Sequence, residues 1–376
     1  MTQKSNFCSL KCQMYSSLKL ELCGFFMAIQ QESSTAERTV VALDGTGGDN
    51  KDTRPVVDAV RFAKAMYPGL YLIIFGSTQL KNDLQKAQVD PSFYEFRLAQ
   101  QVIPQDEEPR SVIKNYSNSA MVKAIECVKN KEADSMISSG GSGPLVALAR
   151  HILGLQKLSD TRIKFKNRHG MVSRLGQVRP CFAARIPIGP NRFALMMDLG
   201  ANANCQAQDL FDFACLGSAF AKISLELDAP RIALLNVGTE MGKGSTMVKL
   251  AKQYLEQDRN LHFTGFIEAN RIFCDDADVI ITDGFTGNVA LKAAEGVADL
   301  YANATGLKKF FGKMARPEWL LPWQYNGSVL LGVNGLVIKS HASAGKEALA
   351  VAVVEAARAA HASLADKVQE ELLIIK

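Results

Sequence analysis

In NVGTEMGKGS (residues 236–245), Lys243 lies between two glycines that cannot shield its ammonium group, and Glu240 sits three residues back, where it can orient it. A side chain so placed can grip an anion or polarise a carbonyl; the plainer reading is a solvated lysine in a turn. ITDGFTGNVALK (281–292) adds Asp283, then Gly284 and Gly287, with Thr286 and Asn288 at a predicted helix start. Lys292 follows Asn288 by four residues, on the same helical face. In SSGGSGPLVAL (138–148), Gly140, Gly141, Ser142 and Gly143 lead to Pro144, which is tolerated as a first helical residue. The first amides of a helix lack partners and the dipole adds positive potential there, so this turn is a candidate phosphate or oxyanion cradle. It also reads as a simple helix cap.

Three further segments share this chemistry. ALDGTGGDN (42–50) sets Gly47 and Gly48 between Asp44 and Asp49, which permits close backbone approach to a ligand or merely a tight turn. It matches neither GxGxxG nor the Walker pattern, so neither a nicotinamide nor an ATP site is indicated. MDLGANANC (197–205) offers Asp198, Gly200 and Asn202, residues that tolerate left-handed backbone and bond adaptably. KSHASAGKEAL (339–349) brings Lys339, Ser340 and His341. Of the five histidines, His341 is the best placed for proton transfer; a core histidine bonded to backbone is the competing reading.

Such residues need elements to hold them. From residue 39 onward, short β-branched or apolar runs alternate with amphipathic stretches of ten or more residues, the pattern of βαβ units in a Rossmann-like, mostly parallel sheet with helices on both faces. The spacing predicts strands at 39–43, 70–75, 133–137, 193–198, 231–236, 261–266, 278–282 and 336–339. Helices are predicted at 54–66, 119–129, 143–155, 209–225, 246–257, 286–304 and 346–374. Each of the six segments falls at a strand end. In an open parallel sheet ligands bind beyond the carboxyl ends of the strands, so the six are expected to converge on one edge as an anion-binding cleft.

Composition narrows the class. The chain has 376 residues, 47% hydrophobic and 22% charged, as an ordinary globular enzyme has. Its net charge of +5 is too small and scattered to argue for nucleic acid. No apolar run reaches the ~18 residues of a spanning helix. No CxxC or Cys/His cluster has zinc spacing, so no metal is expected and free thiols are. Residues 1–38 differ from the rest and are expected to be an N-terminal extension, with Met27 a candidate natural start; residues 39–376 form the domain. Residues 306–323 (GLKKFFGKMARPEWLLPW) are basic and hold both tryptophans of the chain. They read as a packed connection, as a membrane-surface patch or as a docking site for an acidic carrier protein.

Taken in order, ALDGTGGD, MDLGAN, NVGTEMGKG, GFIEAN (265–270), TDGFTGNVALK and GLVIKSHASA resemble the phosphate acyltransferase (PlsX) family, over about nine-tenths of the chain. The first loop has DGTGGD where that family commonly has DAMGGD, and the second SSGGSGPL where SAGNTGAL is usual. The resemblance implies a homodimer on a scaffold related to phosphotransacetylases and isocitrate dehydrogenase. It also implies acyl transfer from acyl-[acyl-carrier-protein] to inorganic phosphate, without a cofactor, at the membrane surface and for a membrane glycerol-3-phosphate acyltransferase. The chain is then cytoplasmic and peripherally membrane-associated. Phosphate is itself the nucleophile, so no Ser or Cys triad is needed. Lys243 and Asn288 are expected to hold phosphate or polarise the thioester, with Asp283 and Lys292 setting their geometry. A phosphotransacetylase using acyl-CoA, a dehydrogenase on the related fold and a non-catalytic membrane scaffold are the rival readings.

Overall fold

A computed structural model describes residues 38–49, 52–159, 166–167, 170–171, 176–240, 242–304 and 325–374. The expectations for the N-terminal extension and for residues 306–323 fall outside these residues.

Eleven strands form one sheet among the described residues: β1 (Thr39–Asp44), β2 (Leu70–Gly76), β3 (Tyr94–Leu98), β4 (Ser135–Ser138), β7 (Cys181–Gly189), β8 (Arg192–Met197), β9 (Arg231–Asn236), β10 (His262–Glu268), β11 (Val279–Ile281), β12 (Ser328–Leu331) and β13 (Val337–Lys339). A separate pair, β5 (Lys166–Asn167) and β6 (Gly170–Met171), is antiparallel. The sheet order is β10-β9-β11-β8-β7-β12-β13-β4-β1-β2-β3.

The helices are α1 (Arg54–Met66), α2 (Thr78–Lys86), α3 (Pro109–Asn115), α4 (Ala120–Lys129), α5 (Ser142–Leu153), α6 (Ala207–Ser224), α7 (Thr246–Gln257), α8 (Gly284–Ala304), α9 (Lys346–His361) and α10 (Leu364–Leu373). Their starts follow local chemistry: Ser77, Ser119 and Ser245 each accept an amide of the first turn through the side chain, satisfying a donor the helix leaves unpaired.

The two-residue period of a strand divides the core in two. Val41 and Leu43 of β1 face a layer with Val57 and Val60 of α1 and Val353 and Ala357 of α9. Ala42 faces the other layer, with Met121 and Ile125 of α4 and Leu145 of α5. The sheet is thus covered on both faces, as predicted.

The sheet is mostly parallel, as expected, but its two parallel runs are joined through antiparallel strands. β3, β2, β1, β4 and β13 are mutually parallel, and so are β8, β11, β9 and β10. Between them β12 is antiparallel to β13 and to β7, and β7 to β8. Three reversals in succession leave the two parallel halves pointing opposite ways. The six strand-end loops therefore do not share one edge; they form two sets.

The predicted 346–374 helix is also two helices. Ser363 adopts a left-handed conformation (φ 52°), and the chain turns so that Leu364, Val368 and Leu372 of α10 are buried. No single helix among the described residues is long and apolar enough to cross a membrane.

Candidate active site

The first set of loops is built on a row of three residues. β1, β4 and β13 are adjacent and parallel, in a register that puts Leu43 beside Ile137 and Ser138 beside Lys339. Asp44, Ser138 and Lys339 are each the last residue of their strand, and alternation turns all three toward the α4–α5 face. The Ser138 hydroxyl donates to Asp44 Oδ2 (2.7 Å) and accepts from the amide of Gly140 (3.0 Å). The other carboxylate oxygen of Asp44 accepts the Thr46 amide (3.0 Å) and hydroxyl (2.9 Å). Asp44 is thereby committed to shaping its own loop.

Gly47 is required here by space: a Cβ would lie 2.6 Å from the Gly140 amide nitrogen and 3.0 Å from Asp44 Oδ2. Gly48 is required by conformation as well (φ +101°), and a Cβ there would meet the Ala342 carbonyl at 2.8 Å. That carbonyl accepts the Asp49 amide (2.9 Å), which ties the 44–49 loop to the 339–345 loop. Gly141 caps α5, so the amides of Ser142 and Gly143 open the helix beside this junction.

Asn326 was not singled out by the sequence. It is buried and holds the same loops, donating to Ser340 Oγ (2.8 Å) and the Ala348 carbonyl (2.8 Å) and accepting the His341 amide (3.0 Å).

The His341 ring meets α8. Its Nδ1 lies 3.0 Å from Lys292 Nζ and its Nε2 3.3 Å from Glu295 Oε1, while Lys292 Nζ reaches Glu295 Oε2 at 2.6 Å. An ammonium group can only donate, so Nδ1 is the accepting nitrogen and Nε2 carries the proton toward Glu295. Both ring nitrogens are engaged, and the histidine acts on its surroundings through Lys292. Burial raises the Glu295 carboxyl, but the hydrogen bonds to His341 and Lys292 prevail and hold it below its ordinary range. Lys339 behaves otherwise. Burial, then the nearby Lys292, lower its ammonium to about 8 against the pull of Asp49 and Asp44.

The second set centres on buried Asp198. Its carboxylate accepts the amides of Phe182 (2.9 Å), Ala201 (3.1 Å) and Asn202 (2.7 Å) and the Asn202 side chain (2.9 Å). Asn202 also donates to the Pro180 carbonyl (2.7 Å) and accepts from Arg179 (2.5 Å). Its side chain therefore braces the loop. Asp283 and Thr286 similarly serve the start of α8: the Thr286 amide and hydroxyl both donate to Asp283, each at 2.8 Å. Asn288 is exposed and packs against Gly200.

Lys243 and Glu240 form an exposed pair (3.5 Å) on a loop folded around buried Asn236, whose side chain donates to the carbonyls of Gly238 (3.0 Å) and Lys243 (3.3 Å). The contacts described for the Lys243 side chain stay within this loop. Helix α8 joins the two sets instead. It starts among Asp198, Asn202 and Asp283, and one turn separates Asn288 from Lys292, about 6 Å along the axis. Of the sequence candidates, the structure thus unites Asp44, Gly47, Gly48, Gly140, Gly141, Ser142, Gly143 and His341 with Lys292 and, one turn away, Asn288. Lys243 and Glu240 stand apart. Glu295 escaped notice because its partner is 46 residues away in sequence, although its i,i+3 spacing from Lys292 was visible.

An α/β chain with two oppositely directed parallel halves and glycine-rich loops at its strand ends belongs to the open-sheet α/β class, whose strand-end loops hold ligands. The family model described as "Fatty acid synthesis protein" matches residues 39–162 and 169–367. The protein named phosphate acyltransferase of Moritella marina is 35% identical over 350 residues, covering 89% of this chain and 98% of that one. The phosphate acyltransferase of Vibrio parahaemolyticus is 37% identical over 349 residues, covering 88% and 96%. The chain belongs to the phosphate acyltransferase (PlsX) family and is an acyltransferase. Among solved structures, a Streptococcus pyogenes phosphotransacetylase superposes with a TM-score of 0.56 at 18% identity, covering 86% of this chain and 94% of that one. The EutD phosphotransacetylase of Staphylococcus aureus gives 0.55 at 17%, covering 92% and 99%. These two establish kinship of fold.

Proposed function

We propose that this chain transfers a long-chain acyl group from acyl-[acyl-carrier-protein] to inorganic phosphate, supplying acyl-phosphate for phospholipid synthesis. A phosphate oxygen attacks the thioester carbonyl, the C–S bond breaks, and the proton of hydrogen phosphate ends on the released thiol. The reaction balances without a cofactor. Its demands are to hold an anion against the carbonyl carbon and to stabilise the oxyanion that forms. The observation that carries the reading is the union of the 44–49, 138–143 and 339–345 loops with Lys292, one helical turn from Asn288. The first amides of α5 and the Lys292 ammonium group are the donors this junction offers to an anion. Asn288, from the other half, is the donor that meets the thioester oxygen; each such donor is worth about 3–4 kcal/mol. Lys243 stands on an exposed loop of the same half as Asn288, paired with Glu240, where an arriving acyl donor can reach it.

The homodimer belongs to the same proposal. Phe285, Val289, Val297 and Leu300 expose an apolar stripe along α8, which supports a second copy as its cover. The product would pass to a membrane glycerol-3-phosphate acyltransferase from a cytoplasmic enzyme resting on the membrane surface.

Incubation of the purified chain with palmitoyl-carrier protein and phosphate is expected to yield palmitoyl-phosphate and free carrier protein. Faster turnover of short-chain acyl-CoA would instead favour a phosphotransacetylase donor. Absence of phosphate-dependent consumption of either donor would refute acyl transfer to phosphate.

A further inference from the structure

Lys339 occupies the third place in the Asp44–Ser138–Lys339 row, yet the acyl-transfer reading gives it no task. Lys339 is half-buried, and a lysine even partly withdrawn from water usually has a partner, because its charge loses hydration. The hydrogen bond described for this ammonium group is to the carbonyl of Ser340, a neutral acceptor. Asp44 and Asp49 act on it through space, and the hydrogen bonds described for Asp44 go to Thr46 and Ser138. The next charge on the α8 side is a second cation, Lys292, backed by Glu295 and the ring of His341. The β4 residue in register with Lys339 is Ser138, an uncharged hydroxyl. Lys292 reaches this corner from α8 through the ring of His341, two residues along from Lys339, so the two ammonium groups repel across it unless an anion lies between them.

We propose that Lys339 is a phosphate-binding residue, its ammonium group forming with that of Lys292 a two-cation seat for the nucleophilic phosphate at the end of this row. The inference rests on the acyl-transfer reading and deepens it. It fixes where the tetrahedral anion sits, against the first half of the sheet, and leaves Asn288 one turn along α8 to meet the acyl group. Without bound phosphate, Lys339 is only partly charged near pH 8, because burial and Lys292 oppose its proton. Phosphate binding restores that proton. Binding is therefore coupled to proton uptake on the alkaline side of about pH 8 and weakens as pH rises.

Titration calorimetry with inorganic phosphate, in buffers of different ionisation enthalpy, tests this without an acyl donor. Wild type is expected to take up a proton on binding at pH 8.5. Lys339→Met should weaken phosphate at least tenfold at pH 7 and abolish the uptake. Lys292→Met should move the onset of uptake to higher pH, because the repelling neighbour is gone. Lys339→Arg should keep binding within about threefold of wild type and carry the proton at every pH tested, consistent with a side chain that stays charged. If Lys339→Met fails to fold, this arginine variant decides. Phosphate binding within twofold of wild type in Lys339→Met, unchanged proton uptake in Lys339→Arg, or no phosphate binding by wild type each overturns the seat. Phosphate binding with this signature but no acyl transfer from carrier protein would leave the seat standing and remove the donor. Normal transfer with an unchanged KM for phosphate in Lys339→Met would do the reverse.

Discussion

The two sets of loops differ in how they are held. In the first, strand register fixes Asp44, Ser138 and Lys339 side by side, and side-chain hydrogen bonds lock the turns that follow. In the second, buried Asp198 and Asn202 brace one turn firmly, while Lys243 and Glu240 stand exposed on another. A small, invariant anion calls for a rigid mould; a long acyl chain delivered by a macromolecule calls for a surface that can adapt. The contrast matches the proposed division of labour, with phosphate on the first side and thioester on the second.

The hardest blow to that division would come at Gly47. Gly47→Ala pushes a methyl group into the Gly140 amide and should cost on the order of a hundredfold in kcat/KM, as displacements near 1 Å do. Near-normal turnover in the folded variant would mean that the mould is not rigid. Next come Asn288→Ala and Lys243→Ala, each expected to lower acyl-phosphate formation at least about tenfold, or ~1.4 kcal/mol. Steady-state kinetics with both substrates varied should place these losses in kcat and in the KM for the acyl donor. A change confined to the KM for phosphate would exchange the roles of the two sets.

Glu295→Gln should have a smaller effect, about threefold on kcat/KM, because Lys292 and His341 lose an anchor without losing each other. A loss as large as that of Lys292→Met would make the carboxylate itself essential. The smallest effect is on stability. Lys339 has a folded-state value near 8 and an ordinary one of 10.5, so the unfolded chain binds more protons between those limits. Its contribution to stability must then rise with pH across that window, and urea unfolding of wild type against Lys339→Met should show it. The opposite slope would mean that the ammonium group is well paired in the free protein.

Much of the fold was legible, and for local reasons. The predicted strands are all present with ends within two residues, because continuous runs such as LYLIIFG in β2 and RIALLN in β9 suit strands buried on both faces. What escaped was the joint between the halves. In β7, CFAARIPIG carries an arginine and a proline, which argue against a central strand. Burial lowers Arg185 to about 9 and Glu355 of α9 partly restores it, a compensation visible only once β7 and α9 are packed together. Strand β12 has only four residues, and a strand's direction is set by its neighbours. The sequence pattern named the loops and not their division into two sets. Gly189-Pro190-Asn191, with Asn191 left-handed at φ 55°, was the available sign that β7 turns straight back into β8.

Helix α8 carries a further consequence. Asn288 and Lys292 come from one short stretch of sequence yet serve opposite halves, and only helical phase keeps them aligned. One residue inserted between them would rotate Lys292 by roughly 100°. Every motif would survive in the text of such a protein, and its two workplaces would no longer face each other.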